Sequence, residues 1–138
     1  MVPKRYVRPL FVVTFVAFFV VKGLLRPWVL ERDSSSFLVI FVNSFPNLAE
    51  AILGTIVLAG IAVALRVNFP KLLGGLEDRW LFTAVCLVAG VYVVSQELGF
   101  HDLGGRNVTD PYDVAASVIG VVLMNVLLWR HRLVTESR

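Results

Sequence analysis

The residues best suited to chemistry in this sequence are polar side chains that recur at helical spacing inside long apolar segments. The first series contains Asn43, Asn47, Glu50 and Gly54, at steps of four, three and four residues. These residues share one face of a helix if the helix continues through Pro46. Because an unsatisfied polar group in hydrocarbon costs several kcal/mol, such a face predicts either a binding site or a polar contact between helices.

Two later apolar segments carry polar faces of the same kind. One places an amide and a carboxylate about one turn after a tyrosine, in Tyr92, Gln96 and Glu97. The other aligns a carboxylate, a hydroxyl and two further residues along one helix face, in Asp113, Ser117, Gly120 and Met124. If the three faces meet, we expect an acidic polar pocket at one end of the helices, covered by the loop from Gly99 to Thr109.

The composition is that of an integral membrane protein. Hydrophobic residues make up 57% of the 138 residues and charged residues 17%, and the mean hydropathy is +0.78. A soluble domain averages about 45 to 50% apolar residues, and its charges are interleaved rather than confined to short stretches. From this length, we expect no separate soluble catalytic domain. The net charge of +3 is explained by membrane orientation, so no nucleic-acid partner is expected.

We predict an all-α, four-helix membrane bundle formed by a single domain of residues 1–138. The predicted spans are residues 7–25, 48–65, 80–98 and 111–129. The first span is expected to be retained, because no small-x-small cleavage pattern follows it. Residues 37–44 are predicted to form a short interfacial or re-entrant helix, with Pro46 opening the second span. The tryptophans that mark the predicted span ends are Trp28, Trp80 and Trp129.

The distribution of lysine and arginine predicts the orientation. One side, formed by the two termini and the loop after the second span, carries nine basic residues, whereas the other side carries four. By the positive-inside rule, both termini are cytoplasmic and the protein lies in the cell (inner) membrane. The loops 26–47 and 99–110 then face outward. The polar pocket is therefore expected to open to the outside.

Several of the polar residues also have purely structural explanations. Asp110 is a suitable N-cap for the fourth span, and Asp113 can bind a free backbone N–H in its first turn. Arg106 is the expected partner of these two carboxylates or of Glu97, either as a structural ion pair or as part of a binding site. Glu50 has no basic residue near it in the sequence, which makes it a candidate for function.

Neither a metal site nor a cofactor is expected. Cys86 lies inside an apolar run and is predicted to be a packing residue. His101 and Asp102 are adjacent in a loop with no second histidine nearby, so a metal site is not indicated. The small residues inside the spans predict close helix packing rather than ligand contact; they are Gly54, Ala59, Gly60, Gly90 and Gly120.

The last third of the chain contains three short motifs: Tyr92-Val-Val-Ser-Gln96, Gly104-Gly105-Arg106, and Asp110-Pro-Tyr-Asp113-Val-Ala-Ala-Ser117-Val-Ile-Gly120. In these motifs the chain resembles the VanZ-like family of small bacterial membrane proteins. The positions that match the family pattern are Gln96, Arg106, Asp113 and Gly120. Ser117 stands where the family often has Asn, and Tyr92 where it often has Glu; in a shifted register, Glu97 takes the place of that Glu. The lead-in from Asn43 to Asn47 resembles the polar segment before the family's second span.

The resemblance implies a role in the cell envelope, because the family is named for a protein linked to low-level resistance to teicoplanin-type glycopeptide antibiotics. Our first hypothesis is that the outer pocket binds an envelope ligand: a lipid-linked precursor, a lipid headgroup or a glycopeptide. The residues expected to bind it are Asn43, Asn47, Glu50, Gln96, Glu97, Arg106, Asp110 and Asp113. Arg106 would face phosphate or carboxylate, and the carboxylates and amides would hold sugar, peptide or amine groups.

Two other classes of function stay open at this point. The protein is alternatively a structural or accessory subunit. In that case the polar faces only hold the helices together, and membrane lipids and a membrane protein partner cover the outer surface of the bundle. A third reading is an intramembrane enzyme or proton-coupled carrier that titrates Glu50 and Asp113. The sequence offers this reading little support, because it has no evident nucleophile and base pair and no inverted repeat.

Overall fold

The computed structural model describes residues 2–3, 5–32, 34–97, 110–132 and 134–135. The helices are α1 (Val7–Val20), α2 (Arg26–Leu30), α3 (Ser36–Asn68), α4 (Pro70–Leu73), α5 (Asp78–Glu97) and α6 (Pro111–His131), and a π-helical turn, Val21–Leu25, joins α1 to α2. A two-residue strand β1 (Val2–Pro3) pairs antiparallel with β2 (Val134–Thr135). Helices α1 and α5 begin at one end of the bundle, and α3 and α6 finish there. We call this the terminal end, and we call the opposite end the distal end.

Among the residues that the structure describes, four helical segments are long and apolar enough to cross a membrane. They are Val7–Leu30, Ser36–Asn68, Asp78–Gln96 and Pro111–His131. Each of them exposes large apolar side chains, for example Phe15, Val57, Leu87 and Val122, as expected of surfaces that face lipid rather than water. The predicted all-α four-helix architecture is confirmed. The four candidate spans indicate a multi-pass membrane protein.

The second span differs from its prediction. Residues 36–68 form one helix of 33 residues with Pro46 inside it, so the predicted separate helix at residues 37–44 is wrong. Proline removes a single helix hydrogen bond, and membrane helices tolerate that loss where neighbouring helices pack against the site. Here Pro46 is buried, and Val42 one turn earlier is fully buried against Val21 and Val29. These contacts hold the first turns of α3 in line with the rest.

The length of α3 explains how it organises the bundle. At about 1.5 Å per residue it extends about 50 Å, well beyond the roughly 30 Å of a bilayer core. Its first turns pack against α2 and the π-helical turn, and its remaining turns pack against α1, α5 and α6. The apolar core between α3, α5 and α6 includes Ala59, Phe82, Met124 and Leu128, all almost completely buried.

Two helices, α3 and α6, approach each other closely at Gly120. A Cβ atom at this position would lie 2.8 Å from the carbonyl oxygen of Leu48 and 2.9 Å from the Cβ atom of Ala51. Both distances are shorter than van der Waals contact allows, so α6 meets α3 here only because residue 120 has no side chain. The packing role predicted for glycine is therefore confirmed at Gly120. It is wrong for Gly54 and Gly60, where nothing in the described chain lies within 4 Å of a Cβ.

Polar contacts fasten the terminal end. Arg66 at the end of α3 and Arg132 after α6 both bind the carboxylate of Asp78 in the first turn of α5. The Tyr6 hydroxyl donates a hydrogen bond to the Arg132 carbonyl, and the Tyr6 ring contacts His131 with 5.9 Å between ring centroids. Burial raises the pKa of Tyr6, which keeps its hydroxyl protonated and able to donate. None of these long-range pairs was predicted from the sequence.

Substituting Gly120 with alanine tests the helix contact. We expect Gly120→Ala to lower the free energy of unfolding by about 1 to 3 kcal/mol, because the added methyl group must displace backbone and a buried side chain. Thermal unfolding of the purified protein in detergent measures the change. Gly60→Ala is the matched control: its Cβ meets nothing in the described chain, so we expect no loss and a gain of up to about 1 kcal/mol in helix propensity. Equal effects of the two substitutions would contradict the account.

Substituting Asp78 with asparagine tests the terminal cluster. The Asp78 and Arg66 side chains are only 22% and 19% exposed, so removal of the carboxylate leaves two arginines without their partner. We expect Asp78→Asn to lower the free energy of unfolding by about 1 to 3 kcal/mol, between the values for exposed and buried pairs. Glu77→Gln removes the adjacent exposed carboxylate and should change stability by less than about 0.5 kcal/mol. A destabilisation by Glu77→Gln as large as that by Asp78→Asn would argue against a specific ion cluster.

Candidate polar binding site

A polar cavity of about 210 Å³ lies between α3, α5 and α6. Its hydrogen-bonding walls are formed by Asn47, Glu50, Thr55, Tyr92, Gln96 and Ser117, and its apolar walls by Ala51, Gly54, Leu58, Ala89 and Val93. The cavity thus joins one carboxylate, two amides, two aliphatic hydroxyls and a phenol. It lies toward the distal end, since it is lined by the last turns of α5 and the early turns of α6.

Helical periodicity explains why these residues meet. Asn47, Glu50 and Gly54 follow one another at steps of three and four residues along α3, so they share one face of this helix. Tyr92 and Gln96 are one turn apart on α5, and Ser117 is one turn before Gly120 on α6. The contact of Gly120 with α3 brings the Ser117 turn against the same face. Residues from all three predicted polar faces therefore line one cavity.

The carboxylate of the cavity has a partner from another helix. Lys22 Nζ lies 3.4 Å from Glu50 Oε1, and the two side chains are 50% and 46% exposed. Lys22 belongs to the π-helical turn and also lies over the Phe18 ring, 4.7 Å from its centroid. An opposite charge at this distance reduces the cost of holding each ion at membrane depth. The sequence analysis missed this pair because its members are 28 residues apart. The available signal was that Lys22 and Glu50 carry opposite charges and both lie inside membrane-spanning segments.

Thr55 is a second cavity residue that the sequence analysis did not single out. It is fully buried, and its hydroxyl donates to the Ala51 carbonyl at 2.7 Å. This local bond satisfies the donor and leaves the oxygen lone pairs available to the cavity. Ser117 on α6 is also buried, at 2% exposure. The signal for Thr55 was its position next to Gly54, within the polar face of α3.

Three predicted site residues lie outside the cavity walls. Asp110 is the N-cap of α6 and accepts a hydrogen bond of 2.9 Å from the Tyr112 backbone N–H, so its capping role is confirmed. Asn43 lies one turn before Asn47 on α3. Its Oδ1 atom, like Oδ1 of Asp113, is buried and has no hydrogen-bond partner among the residues that the structure describes. Their predicted roles in ligand binding stay predictions.

The remaining predicted residues lie in parts of the chain that the structure does not describe. Glu97 ends α5, but its side chain is outside the described residues, as are Arg106, His101 and the whole loop from Gly99 to Thr109. The predicted cover of the pocket and the pairing of Arg106 with nearby carboxylates therefore stay predictions. Asp110 and Asp113, the residues expected to meet Arg106, lie at the start of α6, where that loop ends.

The cavity combines hydrogen-bonding groups with apolar walls. Its amides and hydroxyls provide both donors and acceptors, and its one carboxylate is paired with a lysine. Cys86 does not line the cavity; it is 3% exposed within the apolar core, as predicted for a packing residue. Such a set of groups suits a ligand rich in hydroxyls and amides.

The comparisons with known proteins identify no relative. Neither the protein-family models, nor the curated proteins, nor the solved structures gave a match to this chain. The resemblance to VanZ-like proteins therefore rests on the quoted motifs alone, and function has to be argued from the geometry of the cavity.

Proposed function

We propose that this protein is a VanZ-like envelope protein whose cavity binds the hydroxyl- and amide-rich headgroup of a lipid-linked envelope precursor. The observation that carries the proposal is the convergence of Asn47, Glu50, Tyr92 and Gln96 on one cavity within the membrane-spanning helices. A packing interface between helices does not need this many hydrogen-bonding groups around an open volume. A ligand with matching groups does.

The size of the cavity favours a headgroup over a whole glycopeptide antibiotic. Pockets for drug-sized ligands measure about 300 to 1,000 Å³, whereas this cavity measures about 210 Å³. That volume suits one sugar ring or one short peptide segment. A lipid-linked ligand also fits the location, because its apolar chain can stay in the bilayer while its polar part enters the bundle from the side or from the distal end.

The charge balance favours a group that is neutral overall. Glu50 would repel an anion that entered alone, but its pairing with Lys22 leaves the immediate surroundings close to neutral. Sugar hydroxyls and peptide amides can bind Asn47 and Gln96 without separating this ion pair. A phosphate on the same ligand would be placed beside Lys22, which is half exposed and able to move.

We also propose that both termini are cytoplasmic and that the cavity opens outward. The excess of lysine and arginine at the terminal end supports this orientation under the positive-inside rule. The cavity lies toward the distal end, where an envelope ligand in the outer leaflet would reach it. The cell membrane is then the location of the protein.

A thermal-shift experiment tests ligand binding. A ligand that binds only the folded state raises the apparent stability by about 2.7 kcal/mol at one hundred times its dissociation constant. We expect a polyprenyl-linked sugar-peptide precursor to stabilise the detergent-purified protein, and teicoplanin and phosphatidylethanolamine to have no such effect. Glu50→Gln and Gln96→Leu should abolish the shift, because both side chains line the cavity.

Glu31→Gln is the matched control, since it removes an exposed distal carboxylate that does not line the cavity; it should leave the shift intact. If no compound stabilises the protein while Glu50→Gln and Gln96→Leu both lower its stability, the cavity is structural. The protein would then be better explained as an accessory subunit of a membrane complex.

Cysteine labelling tests the orientation and the exposure of the cavity to water. In a Cys86→Ala background, a membrane-impermeant maleimide added to spheroplasts should label Asn47→Cys from outside. Val57→Cys lies on the same helix and is 50% exposed toward lipid, so it should stay unlabelled because thiolates do not form in hydrocarbon. Lys71→Cys at the terminal end should react only after permeabilisation. Labelling of Lys71→Cys in intact spheroplasts would reverse the proposed orientation.

A further inference from the structure

A second cavity, with different chemistry, lies at the terminal end between the start of α5 and the end of α6. It measures about 580 Å³ and is lined by Arg79, Asn125, Val126, Trp129 and Arg130. No acidic residue is among these lining residues. It lies at the other end of the bundle from the cavity assigned to the envelope ligand, and that function makes no use of it.

The two arginines of this basic cavity keep their positive charge uncompensated within the described chain. Asp78, which is next to Arg79 in the sequence, is already bound by Arg66 and Arg132. Arg79 and Arg130 form no ion pair with any residue that the structure describes. Two such cations on one concave surface attract an anion, and their planar guanidinium groups suit the oxygens of a phosphate.

The wall between the arginines is held in place. The Trp129 indole N–H donates to the Thr83 hydroxyl across the α5–α6 contact at 3.0 Å. The Arg79 guanidinium lies over the Trp129 ring, 5.4 Å from its centroid. This geometry orients Arg79 along the cavity without neutralising it. Trp129 also marks the predicted membrane interface, where a phospholipid headgroup would lie.

A polar group that the fold leaves unsatisfied lies deeper in the same cavity. Asn125 is one turn before Trp129 on α6, and its Oδ1 atom is buried without a hydrogen-bond partner among the described residues. A buried acceptor of this kind is costly unless a donor reaches it. Asn125 as a whole is partly exposed and lines the cavity, so its amide can bind a hydroxyl group on a ligand there. Beside it, Val126 is 60% exposed, so the cavity is continuous with the lipid-facing surface.

From these contacts we propose that the basic cavity binds an anionic phospholipid with a hydroxyl-bearing headgroup, such as phosphatidylglycerol. Arg79 and Arg130 hold the phosphate, the Asn125 amide binds a headgroup hydroxyl, and the acyl chains pass along Val126 into the bilayer. A bound lipid rather than free phosphate is indicated because the cavity has both a cationic part and an apolar, lipid-facing part. The proposal stands independently of the distal cavity and its ligand.

Native mass spectrometry of the full chain, released from detergent, tests the site. The probes are inorganic phosphate and three dioleoyl lipids: phosphatidylglycerol, phosphatidylcholine and phosphatidic acid. We expect the wild-type protein to retain phosphatidylglycerol in preference to phosphatidylcholine and to retain no inorganic phosphate. Each arginine is expected to strengthen lipid retention about fivefold, which corresponds to about 1 kcal/mol per basic residue near the membrane surface. Arg79→Gln/Arg130→Gln should therefore lose about 25-fold.

Arg5→Gln/Lys71→Gln is the matched control, because it removes two exposed cations at the same end that do not line the cavity. This control should keep the preference for phosphatidylglycerol. Asn125→Leu should retain the arginines but reduce the preference for phosphatidylglycerol over phosphatidic acid, which lacks the headgroup hydroxyls. If Arg79→Gln/Arg130→Gln does not fold, the single variant Arg130→Gln tests the proposal, and we expect it to retain phosphatidylglycerol about fivefold less strongly.

Three results would overturn the proposal. One is equal loss of lipid in the cavity variant and the control variant, which would mean that general charge attraction explains retention. Another is equal retention of phosphatidylglycerol and phosphatidylcholine by the wild-type protein. The third is retention of inorganic phosphate with no preference for the lipid, which would indicate a simple anion site.

Discussion

The contact between α3 and α6 at Gly120 is the constraint on which the rest of the bundle depends. The missing side chain lets α6 approach the Leu48 carbonyl and the Ala51 methyl group more closely than any other residue would allow. Because α3 also packs against α1, α2 and α5, this contact fixes α6 against the helix that all the others share. An apolar core lies on the terminal side of the contact. Ser117, on its distal side, lines the polar cavity, which extends along α3 from Asn47 to Leu58.

The two ends of the bundle treat charge differently. At the distal end, the one carboxylate of the cavity is paired with Lys22, so hydroxyls and amides dominate its chemistry. At the terminal end, Asp78 is used to join Arg66 and Arg132, and Arg79 and Arg130 are left to line a basic cavity. A span costs least when its ionisable residues are paired or reach the interface, and both arrangements follow that rule. As a result, the distal cavity is close to neutral and the cavity at the terminal end is cationic.

Features that depend on local sequence could be predicted, whereas those that depend on tertiary contact could not. The third and fourth spans and the Asp110 cap follow from hydropathy and capping chemistry over a few residues. The polar faces follow from helical periodicity. The continuity of α3 through Pro46 could not be predicted from local sequence, because it depends on Val42 packing against the preceding helix. The Lys22–Glu50 pair likewise joins residues that only the folded bundle brings together.

The most direct test of this account is an NMR measurement of the α3–α6 contact in lipid nanodiscs. With alanine methyl groups and glycine α-protons labelled selectively, the account predicts a strong nuclear Overhauser cross-peak between the Ala51 methyl group and the Gly120 α-protons. It also predicts a much weaker one, or none, to Gly60, which has no close neighbour in the described chain. Absence of the Ala51–Gly120 cross-peak in a folded sample would contradict the close contact and, with it, the cavity that the contact helps to form.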